Sequence, residues 1–361
     1  LNFTYEDVDY LRNLGIFSED FLHYLSGFHF SGDIYAIPEG TVVFPKEPLV
    51  KVIAPIMEAQ LVETAILNII NHQSLIATKA SRIVFAAAGD GIMEFGLRRA
   101  QGPDAGLYGS RAAIIGGCVG TSNVLAGQAF GVPVMGTHAH SWIMSFEDEY
   151  TAFKHYAELY PDNCTLLVDT YDTLKSGVPN AIRVFKEFRD AGTPLKKCGI
   201  RLDSGDLSYL SKQARKMLDE AGFPDAGICA SNDLDEYLLH DLKMQGAAID
   251  SWGVGTNLIT AKDCPSFGGV YKLAAVKDEA TEKFIPKIKL SENAEKITNP
   301  GNKTIQRIYS RENGKIIADL ICLADEKFDE SNSLLLFDPI QTWKKTHLAP
   351  KSYTMRELLV P

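Results

Sequence analysis

CTLLVDTYD (164–172), CGIRLDSGD (198–206), GICASND (227–233) and AIDSWGVGTN (248–257) follow one pattern, a short apolar run that breaks into Asp, Ser, Gly or Asn. Uninterrupted apolar runs of this length fit strands buried on both faces. The segments between or before them, such as EDEYTAFKHYAELY (147–160) and LSYLSKQARKMLDEAG (207–222), repeat apolar residues at helical spacing. Strand, loop and helix in alternation predict a parallel sheet covered on both faces or closed as a barrel. IMEF (92–95) and VPVMGT (132–137), the latter running into HAHS, extend the series upstream. In a (β/α)8 barrel the loops after the strands build the active site, with phosphate commonly held after strands 7 and 8. One Asp after a strand is usually a helix N-cap. Five successive strands that end in polar residues or glycine point to a shared site.

Outward from this core the rhythm changes. Upstream, IYAIPEG (34–40), TVVFP (41–45) and PLVKVIAP (48–55) read as short strands punctuated by Pro and Gly, and 57–88 carries apolar residues at helical spacing in one long or two abutting helices. Downstream, GGVYKLAAVKD (268–278), FIPKIKLS (284–291) and IQRIYSRENGKIIADLICL (305–323) read as strands, with Asn313-Gly314 as a type I′ hairpin turn. The reading is an α/β barrel domain at 57–264, with 1–56 and 265–361 forming one discontinuous, β-rich α+β domain.

The 361 residues suit two domains, and 45% hydrophobic with 23% charged is globular composition. A formal net charge of −10 argues against a nucleic-acid surface while leaving room for a local basic pocket. No eighteen-residue apolar run or signal-peptide pattern appears, so the expectation is a cytoplasmic protein without a membrane partner. Cys118, Cys164, Cys198, Cys229, Cys264 and Cys322 form no CxxC pair and read as buried, reduced thiols. Leu1 at the start and the apolar run 358–361 at the end suggest a fragment trimmed at both ends.

Several polar groups carry possible chemistry. Gly253-x-Gly255-Thr256 either presents backbone N–H groups to an anion or marks a tight turn, and it lacks the Lys of a P-loop. With Ser231 and Asn232 on the preceding loop, it suggests a monophosphate site. Arg201 and Asp203 share one strand face. They form either a structural ion pair or an anion-binding Arg beside an Asp for sugar hydroxyls or a metal-bound water. Asp169 supplies a second carboxylate, and two carboxylates near phosphates suggest Mg²⁺. His138 and His140 lack a third metal ligand at a convincing spacing; each is either a buried hydrogen-bonded imidazole or a phosphoryl nucleophile.

Longer motifs carry a resemblance. AIPEGTVVFPKEPLVKV, EAQLVETAILNIINHQSLIATKASRI, EFGLRRAQGPDAGL, GTSNVLAGQAFGVPVMGTHAHSWIMSF, IRLDSGDL, SWGVGTNLIT and KIKLSENAEKITNPGNK together resemble nicotinate phosphoribosyltransferases over nearly the whole chain. The resemblance implies an irregular (β/α) barrel of the type II phosphoribosyltransferase kind and a homodimer with shared active sites. It also implies a reaction joining nicotinate to phosphoribosyl pyrophosphate (PRPP) to give nicotinate mononucleotide and pyrophosphate, a step of NAD salvage. The resemblance further implies ATP hydrolysis coupled to that reaction through a phosphohistidine. His140 then matches the phosphorylated histidine, and Phe95 and Arg98 match the pyridine pocket. Arg201, Asp203 and Asp169 match positions around the ring, ribose and pyrophosphate, with the two Asp as Mg²⁺ candidates. Ser231, Asn232, Gly253, Gly255 and Thr256 match the 5′-phosphate loops. The resemblance also implies an N-terminal segment with an aromatic that stacks on the ring from the partner subunit, and the expectation is that this sequence begins beyond it. Two alternatives stand. A nicotinamide phosphoribosyltransferase would carry an acidic residue where this chain has Ser122. A phosphosugar-binding lyase or isomerase would want a strand-end Lys or a Glu/His pair, neither of which is evident.

Overall fold

Thr4 and Ser18 start the first two elements of a computed structural model that describes residues 1–290, 298–338 and 341–361. Thr4 and Asp7 form a reciprocal capping box on α1 (Tyr5–Asn13), and the Ser18 hydroxyl caps α2 (Glu19–Ser26). Val8, Leu22 and Leu25 bury the shared apolar face of these helices, which the sequence reading of short strands left out. β1 (Asp33–Ala36) then pairs antiparallel with β2 (Val50–Ile53). TVVFP between them is not a strand. Its polar backbone is taken by side chains instead of a ladder: Arg307 donates to the Val42 carbonyl at 2.6 Å, and the Phe44 N–H donates to Glu47 at 2.8 Å. The helical run becomes two abutting helices, α3 (Ile56–Leu61) and α4 (Glu63–Ala86).

Two compact units divide the chain, 1–68 with 269–361 and 69–268. The first division falls inside α4, between Asn68 and Ile69, rather than at 56/57 where the helical run begins. The second falls at 268/269, beside the 264/265 read from sequence.

The unit 69–268 is built on β3 (Gly91–Glu94), β4 (Gly120–Thr121), β5 (Cys164–Leu167), β6 (Cys198–Leu202), β7 (Gly227–Asn232) and β8 (Ser251–Val254). All pairs are parallel, in the order β4-β3-β8-β7-β6-β5. The early strand β3 lies beside the late strand β8, as in a barrel, and the sheet is a curled six-stranded half-barrel with β4 and β5 as its edges. The connecting helices are α5 (Pro103–Ile115), α6 (Val124–Phe130), α7 (His140–Met144), α8 (Glu149–Leu159), α9 (Val178–Asp190), α10 (Leu207–Glu220), α11 (Glu236–Met244) and α12 (Thr256–Ile259). Ile92, Leu166, Ile200, Leu202, Ile228 and Trp252 are fully buried in one core with helix residues such as Phe153, Val184 and Leu218. Each such aliphatic side chain contributes about 1.5–3 kcal/mol.

VPVMGT is the one expected strand missing from this sheet. Pro133 has no N–H to give a ladder, and among the described residues the segment is hydrogen-bonded to β4 only at Thr121, which exchanges bonds with Pro133 O at 3.0 Å and Met135 N at 2.9 Å. It then leads to His138, which serves the other edge by accepting the Leu167 N–H of β5 at 3.2 Å.

In the other unit, after 268, β9 (Ala275–Lys277) pairs with β10 (Phe284–Pro286). β11 (Lys303–Ser310) is central to an antiparallel sheet with β12 (Ile316–Leu323) and β15 (Tyr353–Glu357), and β13 (Leu334–Phe337) pairs with β14 (Lys345–Leu348). The hairpin at Asn313-Gly314 is not type I′. Only Gly314, at φ 69°, is left-handed, whereas that turn needs two such residues. The Ser310 N–H instead bonds Lys315 O at 2.8 Å across a four-residue loop, and the Asn313 side chain accepts the Lys315 N–H. Part of the motif 287–303, residues 291–297, lies outside the described residues. Among the described residues, no helix is long and apolar enough to cross a membrane. Cys118, Cys164, Cys229 and Cys322 are buried as free thiols, but Cys198 is half-buried and Cys264 exposed, so the buried-thiol reading applies to four of the six.

Candidate active site

Strand alternation decides which residues meet. Inward positions at the carboxyl ends of β6 and β7 place Arg201, Asp203 and Ser231 together. Arg201 donates from Nε to Ser231 Oγ at 2.7 Å, from Nη1 to Thr137 Oγ1 at 2.8 Å and from Nη2 to Asp203 Oδ1 at 3.0 Å. Ser231 Oγ also donates to Asp203 Oδ1. Three forked donors so anchored leave two guanidinium N–H groups for an anion.

Asp169, at the end of β5, joins this cluster to His140. Its side chain is only 2% exposed, and Oδ2 accepts the Asp203 N–H at 2.8 Å and the Ser204 hydroxyl at 2.6 Å. Oδ1 lies 3.2 Å from His140 Nε2. A carboxylate only accepts, so Nε2 carries a proton and donates it toward Asp169, which leaves Nδ1 as the ring nitrogen turned away from the carboxylate. His140 is 38% exposed and Nδ1 has no partner among the described residues. The imidazole is therefore held at one nitrogen and open at the other.

His138 differs. It is 9% exposed, packs edge-on to Tyr156 with ring centres 4.5 Å apart, and accepts the Leu167 N–H. Burial pulls its pKa down to about 4, so it is neutral. Capping also sorts the aspartates. Asp148, Asp206 and Asp235 cap α8, α10 and α11, whereas Asp169 and Asp203 cap nothing and point into the cluster.

Phe95 follows β3, and its ring centre lies 5.5 Å from the Arg201 guanidinium. Gly253 makes room for it, since a Cβ there would come within 2.5 Å of the Phe95 ring; a Cβ at Gly255 would approach the Phe95 carbonyl to 3.2 Å. Seating Phe95 is thus the role the structure displays for these glycines. Asn232 adopts φ 125° at the end of β7, a conformation that non-glycine residues seldom hold. Thr256 opens the four-residue α12. Ser122 lies after β4, its N–H donating to Glu94 O at 3.0 Å, with its hydroxyl unbonded among the described residues. Arg98 is exposed on the short 3₁₀ turn Leu97–Arg99 and joins no part of the Arg201 cluster.

Three members of the site escaped the sequence reading. Thr137 and Ser204 sit inside quoted motifs, yet nothing in their spacing shows that they bond Arg201 and Asp169. Glu94 had a signal, a carboxylate ending an apolar strand. It is fully buried and accepts from the Gly96 N–H, Ser110 Oγ at 3.0 Å and Thr121 Oγ1 at 2.6 Å, which ties the turns after β3 and β4 together.

Residues 91–313 match the model of the nicotinate phosphoribosyltransferase (NAPRTase) family, 1–71 its N-terminal domain and 302–361 its C-terminal domain. The chain belongs to the nicotinate phosphoribosyltransferase family. The nicotinate phosphoribosyltransferase of Bacillus subtilis (strain 168) is 53% identical over 341 residues, 94% of this chain and 68% of that protein. One from Mycobacterium tuberculosis (strain ATCC 25618 / H37Rv) is 46% identical over 305 residues, 84% of this chain and 63% of that protein. The chain thus spans about two thirds of the length of these relatives. The crystal structure of human nicotinic acid phosphoribosyltransferase superimposes with a TM-score of 0.83 at 30% identity, covering 99% of this chain and 78% of that one. This likeness extends to the curled parallel sheet on which the site stands.

Proposed function

We propose that this chain carries the catalytic centre for transfer of phosphoribose from PRPP to the ring nitrogen of nicotinate, yielding nicotinate mononucleotide and pyrophosphate in cytoplasmic NAD salvage. The observation that carries the reading is the bonded series His140–Asp169–Asp203–Arg201–Ser231 at the carboxyl ends of three neighbouring strands. Pyridine nitrogen is already a nucleophile, so the displacement needs no general base. Positioning and charge stabilisation carry such a step, and good geometry alone supplies about 7–11 kcal/mol of the barrier. The free N–H groups of Arg201 would bind the departing pyrophosphate, and Asp203 would orient a ribose gaining positive charge at C1′. Phe95 would pack against the ring, with Arg98 and Ser122 toward its carboxylate. Ser231, Asn232, Gly253, Gly255 and Thr256 would line the 5′-phosphate.

His140 would accept the phosphoryl group of ATP at Nδ1, with Asp169 holding Nε2–H and stabilising the imidazolium that forms. That phosphohistidine would couple ATP hydrolysis to synthesis. Mg²⁺ would be held through Asp203. Among the described residues no three His, Cys, Asp or Glu side chains are grouped to hold a metal ion, and both oxygens of Asp169 are taken. Asp203 Oδ2 alone is open on a side chain that is 32% exposed. A Mg²⁺ held by pyrophosphate oxygens, water and this one carboxylate matches that ion's habits. Its charge would neutralise the leaving group. A homodimer with shared active sites is part of the reading, and exposed Val119, Val124, Leu125 and Val134 beside the β4 edge supply apolar surface for it.

The test is mononucleotide formation from nicotinate and PRPP, with nicotinamide and quinolinate as competing bases, with and without ATP and EDTA. Preference for nicotinate, stimulation by ATP and loss on chelation are expected. Equal use of nicotinamide, or full activity in EDTA, would overturn the assignment.

A further inference from the structure

Inward side chains normally fill the interior of a (β/α) barrel. At the amino ends of the strands here they do not. Thr165, Gly199 and Gly227 stand side by side in register on β5, β6 and β7, and in the next row Cys229 is in register with Ser251 on one side and with Arg201 on the other. All of these but Arg201 are small. A Cβ added to Gly227 would meet no atom within 4 Å, so that glycine faces open space, whereas one on Gly199 would strike the Gly227 carbonyl at 2.8 Å. The result is a cavity of about 620 Å³ at the amino ends of the strands, below the row that holds Arg201, and none of the residues bonded in the Arg201 cluster lines it. Its volume lies within the roughly 300–1,000 Å³ of small-molecule sites.

The mouth is cationic although the chain carries a net charge of −10. Arg189, Lys196 and Lys197 line it against one carboxylate, Asp225. Arg189 already bonds Asp190 at 3.1 Å, but neither lysine has an ion-pair partner among the described residues. Their backbone is fixed: the Lys196 N–H donates to Pro161 O and the Lys197 carbonyl accepts from Cys164 N–H, both at 2.9 Å. The half-buried Thr165 hydroxyl lines the cavity and the exposed Asn163 amide its rim, neither with a side-chain bond among the described residues. Two free ammonium groups at the mouth and neutral hydrogen-bonding groups within suit a dianionic head on a hydroxyl-bearing body.

We propose that this cavity is a second ligand site, separate from the active site, that takes a sugar monophosphate. The phosphate sits between Lys196 and Lys197, and the sugar enters the barrel beside Gly199 and Gly227. Calorimetric titration of the full chain with glucose 6-phosphate, and separately with inorganic phosphate, tests this without reference to turnover, so a chain inactive in mononucleotide formation still answers it. Wild type should bind glucose 6-phosphate at one site and more tightly than phosphate. K196E/K197E should weaken binding about tenfold or more, Gly227→Leu should abolish it by filling the cavity, and Arg201→Ala should leave it unchanged. Gly227→Ala, whose methyl group has room, serves if the leucine variant does not fold; it should weaken glucose 6-phosphate and spare phosphate. No binding by wild type at millimolar concentration overturns the proposal. So does unchanged binding in the Gly227 variants, which would mean simple anion condensation on the lysines, or loss confined to Arg201→Ala, which would place the sugar phosphate in the active site.

Discussion

His138 and His140 are two residues apart and do opposite work. His138 is buried, neutral and spent on a backbone N–H of the β5 edge, while His140 keeps Nδ1 free and is oriented by Asp169. Removal of the buried ring by alanine would leave the Leu167 N–H unbonded and a hole beside Tyr156, so the informative control at that position keeps an acceptor. His140→Asn is expected to abolish acid-labile phosphate incorporation from ATP. His138→Gln should retain it. Radiolabel from ATP, followed through mild acid, checks both, and label that survives in His140→Asn while vanishing in His138→Gln would assign the wrong imidazole.

The element that most constrains the site is the end of β3 packed on β8. Because a Cβ at 253 would come within 2.5 Å of the Phe95 ring, Gly253→Ala should cost about 1–3 kcal/mol of stability and raise the nicotinate KM. Adding Phe95→Leu should recover part of the stability loss. Denaturant titration of the two singles and the double gives the coupling, and strict additivity would show that the residues do not interfere. The seam between β4 and β5 carries a pH signature. His138 has its pKa lowered to about 4 by burial, against 6.5 in the unfolded chain. Between those values the unfolded chain holds a proton that the fold does not. The stability it represents is complete above pH 6.5 and disappears as pH falls through 4, in all about 3 kcal/mol. The urea midpoint of His138→Gln should fall less steeply than that of wild type over this range.

At the scale of the molecule, the fold separates six chemically equivalent cysteines. Burial pushes Cys118 and Cys164 up to about 12 and Cys322 up to about 11, and it also raises Cys198 and Cys229, while Cys264 is exposed. A thiolate is needed for alkylation. Iodoacetamide at mildly alkaline pH should therefore modify Cys264 first, Cys198 slowly, and Cys118, Cys164, Cys229 and Cys322 only on unfolding. Peptide mass mapping over time reads the order. Labelling of the buried four at the rate of Cys264 would contradict the packing described.

The parallel sheet was legible in sequence because a strand buried on both faces is largely apolar, and CTLLVD, CGIRLD, GICAS and DSWGV each carry a short apolar run among their few polar residues. The alternation of side chains likewise put Arg201 and Asp203 on one face. VPVMGT met the same apolar criterion and is no strand, since whether a ladder forms depends on a neighbour with free backbone groups and on the N–H that Pro133 lacks. The type I′ reading at Asn313-Gly314 went wrong for a related reason: the dipeptide permits that turn, but the register of β11 on β12 chooses the loop length. Nor does local sequence distinguish His138 from His140, or a capping Asp206 from Asp169, because pKa, exposure and partners are set by chain segments remote in sequence. Local sequence, through side-chain polarity and the two-residue repeat of a strand, determined which residues could face the site. Only tertiary structure decided which of them touch, because Thr137, Asp169, Arg201 and Ser231 come from separate segments and are joined when the sheet curls.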